Sequence, residues 1–181
     1  MSRMTEPTTN TTNHVKVNAR GTPSLYVTSV IHHVTHLSMN DISHDIKRVL
    51  QESVARDIEG KCGVYGFIRP DSCAVISYSS GKIRGTMIRY DITVECKICN
   101  PPEGMFVKCN VDSVTKVGIR ATAIDKYSPL VVFVSRDHMR SGESFDDIMV
   151  NQTANINIVG TRFELGDPNV SAIGVLLRDE K

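Results

Sequence analysis

The chain predicts an α+β fold: a strand, one amphipathic helix and a small antiparallel sheet, followed by a five-stranded β-barrel. Three observations predict it. Only the segment Ile42–Ile58 carries an apolar stripe at helical spacing. The other apolar runs are short, rich in β-branched residues and bounded by Gly, Pro, Asn or Ser, which is the pattern of strands. Between the two patterned halves stands Asn100-Pro101-Pro102, where proline removes a ladder donor and biases the preceding residue away from helix. The expected organisation is a tail at 1–24, an N-terminal domain at 25–101 and a barrel domain at 102–181.

The tail holds six Thr and three Asn among few large apolar residues, too little apolar surface to offset the entropy of ordering it. Leu25–Ile31 is β-branched and aromatic and reads as a strand. In the helix, Ile42, Ile46, Val49, Leu50, Val54 and Ile58 fall three and four apart, and Asp45, Lys47, Arg48, Glu52 and Arg56 take the opposite face. Ser38 or Asn40 can cap its N-terminus, and Gly60 can end it in a left-handed turn. The run Gly60–Gly66 (GKCGVYG) spaces its glycines as G-x-x-G-x-x-G with no following Lys-Ser/Thr. That is a tight loop displaying Tyr65 and not a phosphate cradle. Short strands are expected at Phe67–Ile68, Cys73–Tyr78, Lys82–Arg84 and Met87–Val94.

After the prolines, Met105–Val114 alternates strictly, with Val107, Cys109 and Val111 on one side and Phe106, Lys108, Asn110 and Asp112 on the other. Gly118–Ala123, Leu130–Ser135, Asn155–Arg162 and Val170–Leu177 complete five strands. In the last, Ile173, Val175 and Leu177 share a face. The longer polar excursion Arg136–Val150, between the third and fourth strands, suits a Greek-key barrel of the oligonucleotide-binding type.

Charge narrows the function. The net charge of +1 comes from 21 Lys+Arg and 20 Asp+Glu, so any polyanion contact must be a local patch. Between Lys108 and Arg140 six cations (Lys108, Lys116, Arg120, Lys126, Arg136 and Arg140) face three acidic residues, whereas from Ser141 onward three cations meet seven acidic residues. The barrel is therefore polarised, its early strands basic. In this barrel class the second and third strands build the nucleic-acid face. Phe106 is the aromatic expected outward there, with Phe133 as second candidate, while Val117 occupies the position before Gly118 where an aromatic would stack a base. Weak, sequence-tolerant, salt-sensitive binding is the expectation.

Other chemistries find little support. His32, His33, His36 and His44 lack acidic or Cys companions at ligand spacing; His32–His36 reads as a solvated strand-to-helix connection, and His44 falls on the polar side of the helix. Cys96-Lys97-Ile98-Cys99 is a C-x-x-C whose thiols would face opposite ways on a strand, and Cys62 and Cys73 are poorly spaced as its second half. The five cysteines read as reduced, buried thiols. No Ser-His-Asp, Cys-His or paired-carboxylate arrangement stands out, so the expectation is a non-catalytic protein without cofactor or metal. No apolar run has the roughly 18–20 residues that span a bilayer, and Met1–Ser24 has no secretory apolar core. The expected location is the nucleus or cytoplasm, or a virion if the chain is viral.

Several segments, in order, resemble a known family. Glu59-Gly60-Lys61-Cys62-Gly63-Val64-Tyr65-Gly66-Phe67-Ile68 is similar to the "EGxC…YGFV" segment of the seventh-subunit stalk proteins of multisubunit DNA-directed RNA polymerases, archaeal E-prime and its eukaryotic counterparts. Glu103-Gly104, Val114-Thr115-Lys116-Val117-Gly118 and Phe133-Val134-Ser135-Arg136-Asp137-His138 resemble its middle segments, and Ile158-Val159-Gly160-Thr161-Arg162 with Ala172-Ile173-Gly174 its closing "IVGTR…AIG". The chain departs from the pattern at Asn100-Pro101-Pro102, which lacks the family's basic residues and Phe, and at Asp137. The resemblance implies a divergent, non-catalytic stalk subunit with an N-terminal tip domain and an S1 barrel. Its implied partners are the polymerase core subunits, a fourth-subunit-like stalk partner and nascent RNA, with no membrane. It implies core docking by Gly60, Lys61, Gly63, Tyr65, Gly66 and Phe67, and RNA binding by the barrel, for which the strand positions supply Lys108, Lys116, Arg120, Arg136 and Arg140 together with Phe106. A free-standing S1-type RNA-binding protein in translation or RNA decay is the alternative.

Overall fold

A computed structural model describes residues 24–42, 44–125, 127–136 and 148–177. The expected tail, apart from Ser24, and most of the Arg136–Val150 excursion, including Arg140, lie outside the described residues.

The first half is a sheet organised on one long strand. β1 (Tyr26–Ser38) leads through a single 3-10 turn into the only described α-helix, α1 (Ile46–Ile58). β2 (Cys62–Gly63), β3 (Gly66–Ile68), β4 (Ala74–Tyr78), β5 (Lys82–Arg84) and β6 (Met87–Cys99) follow. β1 pairs antiparallel with the whole of β6, from Tyr26 opposite Cys99 to Ser38 opposite Met87. Along the other edge of β6 the short strands β3, β4 and β5 queue end to end, and β2 pairs with β3.

Two expectations are corrected here. The histidine segment is not a connection: His32, His33 and His36 lie within β1. An antiparallel sheet with one wet face tolerates polar residues at every second position, so His32 and His36 share the open face and His33 turns toward α1, 3.9 Å from Asp57. The cap of α1 is Asp45, which accepts from Arg48 N–H at 3.2 Å. Ser38 instead caps the 3-10 turn by accepting from Asn40 N–H, which leaves Ile42 exposed ahead of the helix. The helix end is as expected, with Gly60 at φ +71°.

α1 covers one face of the sheet. Leu50 and Val54 are fully buried against Ile92, Val94 and Cys96 of β6, each contributing about 1.5–3 kcal/mol. Polar contacts fix its azimuth: Thr35 Oγ1 lies 3.1 Å from Ser53 Oγ in the core and donates to Asp57 at 3.3 Å. Gln51 acts as a surrogate strand for β4, donating to Cys73 O at 2.6 Å and accepting from Val75 N–H at 2.8 Å.

The second half is a closed barrel of β7 (Phe106–Val114), β8 (Gly118–Ala123), β9 (Leu130–Ser135), β10 (Thr153–Arg162) and β11 (Val170–Leu177). The order around it is β7-β8-β9-β11-β10, with β9 and β11 parallel and every other pair antiparallel. This is the arrangement of an oligonucleotide-binding-type barrel. Val107, Cys109 and Val111 point inward as their alternation demands. In β11 the shared face of Ile173, Val175 and Leu177 is the outer one, and Ala172, Gly174 and Leu176 fill the interior. Gly174 is required there, since a Cβ would stand 2.3 Å from Ile156 Cγ2.

Among the described residues no ladder joins the two sheets, but residues of the first sheet pack into the barrel core. Leu25, Tyr26, Cys62, Phe67 and Cys99 form one apolar cluster with the barrel interior. Cys62 exchanges backbone hydrogen bonds with the β10–β11 loop, donating to Asp167 O and accepting from Gly166 N–H, both at 2.8 Å. The Tyr26 hydroxyl donates to Tyr127 O, and the Arg69 guanidinium lies over the rings of Tyr26 and Tyr127, 5.3 and 5.0 Å from their centroids. Among the described residues no helix is long and apolar enough to cross a membrane.

Candidate nucleic-acid interface

The outward side chains of β8, β9 and β11 form a row set by register: Arg120 is opposite Phe133, and Phe133 is opposite Ile173. Phe133 is 46% and Ile173 49% exposed, two solvated apolar groups side by side on adjacent strands. They floor a groove of about 390 Å³ whose walls include Ser113, Val117, Gly118 and Arg120.

The loop between β7 and β8 forms one end of this groove and is held by its own hydrogen bonds. Thr115 Oγ1 donates to Gly118 O at 2.8 Å and accepts from Gly118 N–H at 3.2 Å. Arg136 N–H donates to Val117 O at 3.3 Å, which ties the end of β9 to the same loop. Gly118 permits the close approach: a Cβ there would meet Val134 O at 2.3 Å. The result is a fixed apolar shelf of Val117, Phe133 and Ile173, with the cations Lys116 on the loop, Arg120 on β8 and Arg136 just past the end of β9. Such a surface offers a π-face for a base and positive charge for a phosphate backbone.

The expected RNA-binding residues divide. Lys116, Arg120 and Arg136 belong to the groove end of the barrel. Phe106 and Lys108 are outward and exposed, as predicted, but they sit at the other end of β7 beside Asn157 and Asn155 of β10. Lys108 is five residues, about 17 Å of strand, from the Ser113 that faces Arg120. Arg140 lies outside the described residues. The aromatic of the groove is therefore Phe133 and not Phe106. Ile173 was not foreseen, because in a strand apolar on both faces the alternation does not tell inside from outside.

The expected docking loop divides as well. Val64 and Tyr65, at the β2–β3 turn, are 74% and 61% exposed, and Lys61 is exposed beside them. Gly63 is half-buried, and Gly60 serves the helix end. Gly66 and Phe67 are interior: Phe67 belongs to the core, and Gly66 at φ +128° has no room for a side chain, its Cβ position being 2.6 Å from Cys99 O. Of this loop, Lys61, Val64 and Tyr65 are the exposed residues.

All five cysteines are free and buried. Cys96 and Cys99 face opposite sides of β6 and join different core clusters. Burial pushes the thiols of Cys62, Cys99 and Cys109 up to about 11, 12 and 12. Among the described residues no three His, Cys, Asp or Glu side chains converge as metal ligands. No family model matches the chain, and no curated protein matches it.

Proposed function

We propose that the chain is a non-catalytic RNA-binding subunit. Its barrel holds single-stranded RNA across β8 and β9, and the exposed turn at Val64–Tyr65 docks it onto a larger assembly. The observation that carries the first part is the groove: Phe133 and Ile173 left in solvent on adjacent strands and Val117 on the β7–β8 loop, beside Arg120, with Lys116 and Arg136 near the same end of the barrel. The assembly proposed is a DNA-directed RNA polymerase, with this chain in its stalk beside a fourth-subunit-like partner. Support for that step is the ordered resemblance across both halves, together with a second folded unit that a lone RNA-binding barrel does not need. The protein works in the nucleus or cytoplasm without cofactor.

Binding of a labelled single-stranded RNA, followed by fluorescence anisotropy at several salt concentrations, tests the groove. Phe133→Ala is expected to weaken binding by about 1–3 kcal/mol with an unchanged salt slope. Arg120→Gln is expected to reduce that slope by about 0.7. Equal affinity in wild type and both variants would remove the barrel from RNA binding. Co-purification with the large polymerase subunits, lost in Tyr65→Asp, tests the docking. RNA binding without any such association would favour a free-standing RNA-binding protein.

A further inference from the structure

The four cysteines of the first half fall into two pairs that differ in geometry. Cys62 and Cys99 are both opposite Phe67, on β2 and β6 with β3 between them. Two strand spacings, about 9.5 Å, separate them, beyond the reach of a disulfide. Cys73 and Cys96 are direct neighbours. Ala74 opposes Glu95 in the antiparallel β4–β6 ladder, so the preceding residue, Cys73, stands opposite Cys96. Directly opposed antiparallel residues have Cα atoms about 4.5–5.5 Å apart, within the range that a disulfide bridges. Both side chains point to the α1 face and lie in the same core cluster.

We propose that Cys73 and Cys96 are a redox-reactive dithiol that a small peroxide converts into an intrachain disulfide between the 69–73 loop and β6. In the reaction a thiolate of the pair attacks one peroxide oxygen. The O–O bond breaks, a sulfenic acid forms and water leaves. The second thiol then displaces the sulfenic hydroxyl as water and closes the S–S bond. The two thiol protons end in water, sulfur is oxidised and peroxide oxygen is reduced. The contact between the thiols, which pushes Cys73 up, acts the other way on Cys96 and favours it as the attacking sulfur.

Access is controlled by a clamp. The Glu59 carboxylate accepts three consecutive backbone N–H groups of the loop, from Asp71 at 2.9 Å, Ser72 at 3.2 Å and Cys73 at 2.8 Å. β3 ends at Ile68 and β4 starts at Ala74, so this loop is the lid over the pair. Releasing it exposes Cys73 without unfolding β6. The proposal is independent of RNA binding and of docking.

The test exposes the full reduced chain, under native conditions, to hydrogen peroxide. The expected product has lost the mass of two hydrogens, regains it with dithiothreitol, and maps by tandem mass spectrometry to Cys73–Cys96. A triple variant Cys62→Ala, Cys99→Ala, Cys109→Ala is expected to form the same bond, while Cys73→Ser and Cys96→Ser are expected not to. Direct mapping on wild type decides the matter even if a serine variant misfolds. A bond mapping to any other pair, or no bond in the native chain, overturns the proposal. Glu59→Ala leaves both thiols in place and is expected to speed oxidation about tenfold through loss of the clamp. An unchanged rate overturns the gating.

Discussion

Gly66 and Tyr65 are adjacent in sequence yet have opposite surroundings. Tyr65 is solvated, whereas Gly66 at φ +128° has Cys99 O and Asn100 Cβ where its own Cβ would stand. Gly66→Ala is therefore expected to cost about 2–4 kcal/mol of stability in urea denaturation; a loss under 1 kcal/mol, itself about the size of a tolerated core swap, would refute the steric reading. A sequence shows that a glycine is present but not which φ it adopts, so from the sequence alone Gly60–Phe67 reads as one uniform loop. The buried thiols carry a pH signature. Cys62, Cys99 and Cys109 are held at about 11, 12 and 12, against about 8.5 in an unfolded chain. Their folded pKa values are raised, so the stability they confer is complete below about pH 8.5 and is lost as pH climbs toward 11 and 12, the unfolded chain ionising first. The slope is about 1.4 kcal/mol per pH unit for each thiol. Cys109→Ala is expected to make urea midpoints measured from about pH 8 to about pH 10 less steep by one such increment.

At the level of elements, Gly118–Ala123, Leu130–Ser135 and Val170–Leu177 are strands with the bounds that alternation and turn residues predict. Other elements were misread for a definable reason. β1 runs seven residues past Ile31 because its partner β6 is equally long, and a polar stretch becomes a strand when a neighbour supplies the ladder. The length of β6 was itself hidden, since Glu95 and Lys97 on its open face interrupt the apolar run. The Cys73–Cys96 pairing was illegible for a related reason: it depends on a register that includes a bulge between Val75 and Ser77. Helix α1 shows how one side chain substitutes for a missing strand. Gln51→Ala leaves the Val75 N–H and Cys73 O without their partner, and a loss of about 1–3 kcal/mol is expected. Hydrogen exchange at Val75 should accelerate; protection equal to that of wild type would show that Gln51 is dispensable.

For the whole molecule, the proline pair separates two sheets, yet the core of the barrel reaches across it to take in residues of the first sheet, beside the separate core under α1. The interruption at Asn100–Pro102 is legible in the sequence, but the packing of Phe67, Cys62 and Tyr26 onto the barrel interior is not. That contact depends on residues distant in sequence meeting face to face. The consequence is cooperative unfolding, with probes in either half melting together. Arg69→Ala, which empties the space between Tyr26 and Tyr127, is expected to cost about 1–2 kcal/mol, and two separate transitions in the wild-type chain would contradict the shared core. The groove was half legible: Arg120 and Phe133 could be named, but which end of β7 adjoins them depends on closure. One feature reaches furthest. The backbone exchange between Cys62 and the β10–β11 loop makes the Val64–Tyr65 turn and that loop a common ledge. In the proposed docking, a partner that grips the turn also sets the heading of the barrel, so that RNA reaches the groove at an angle dictated by that partner and not by tumbling.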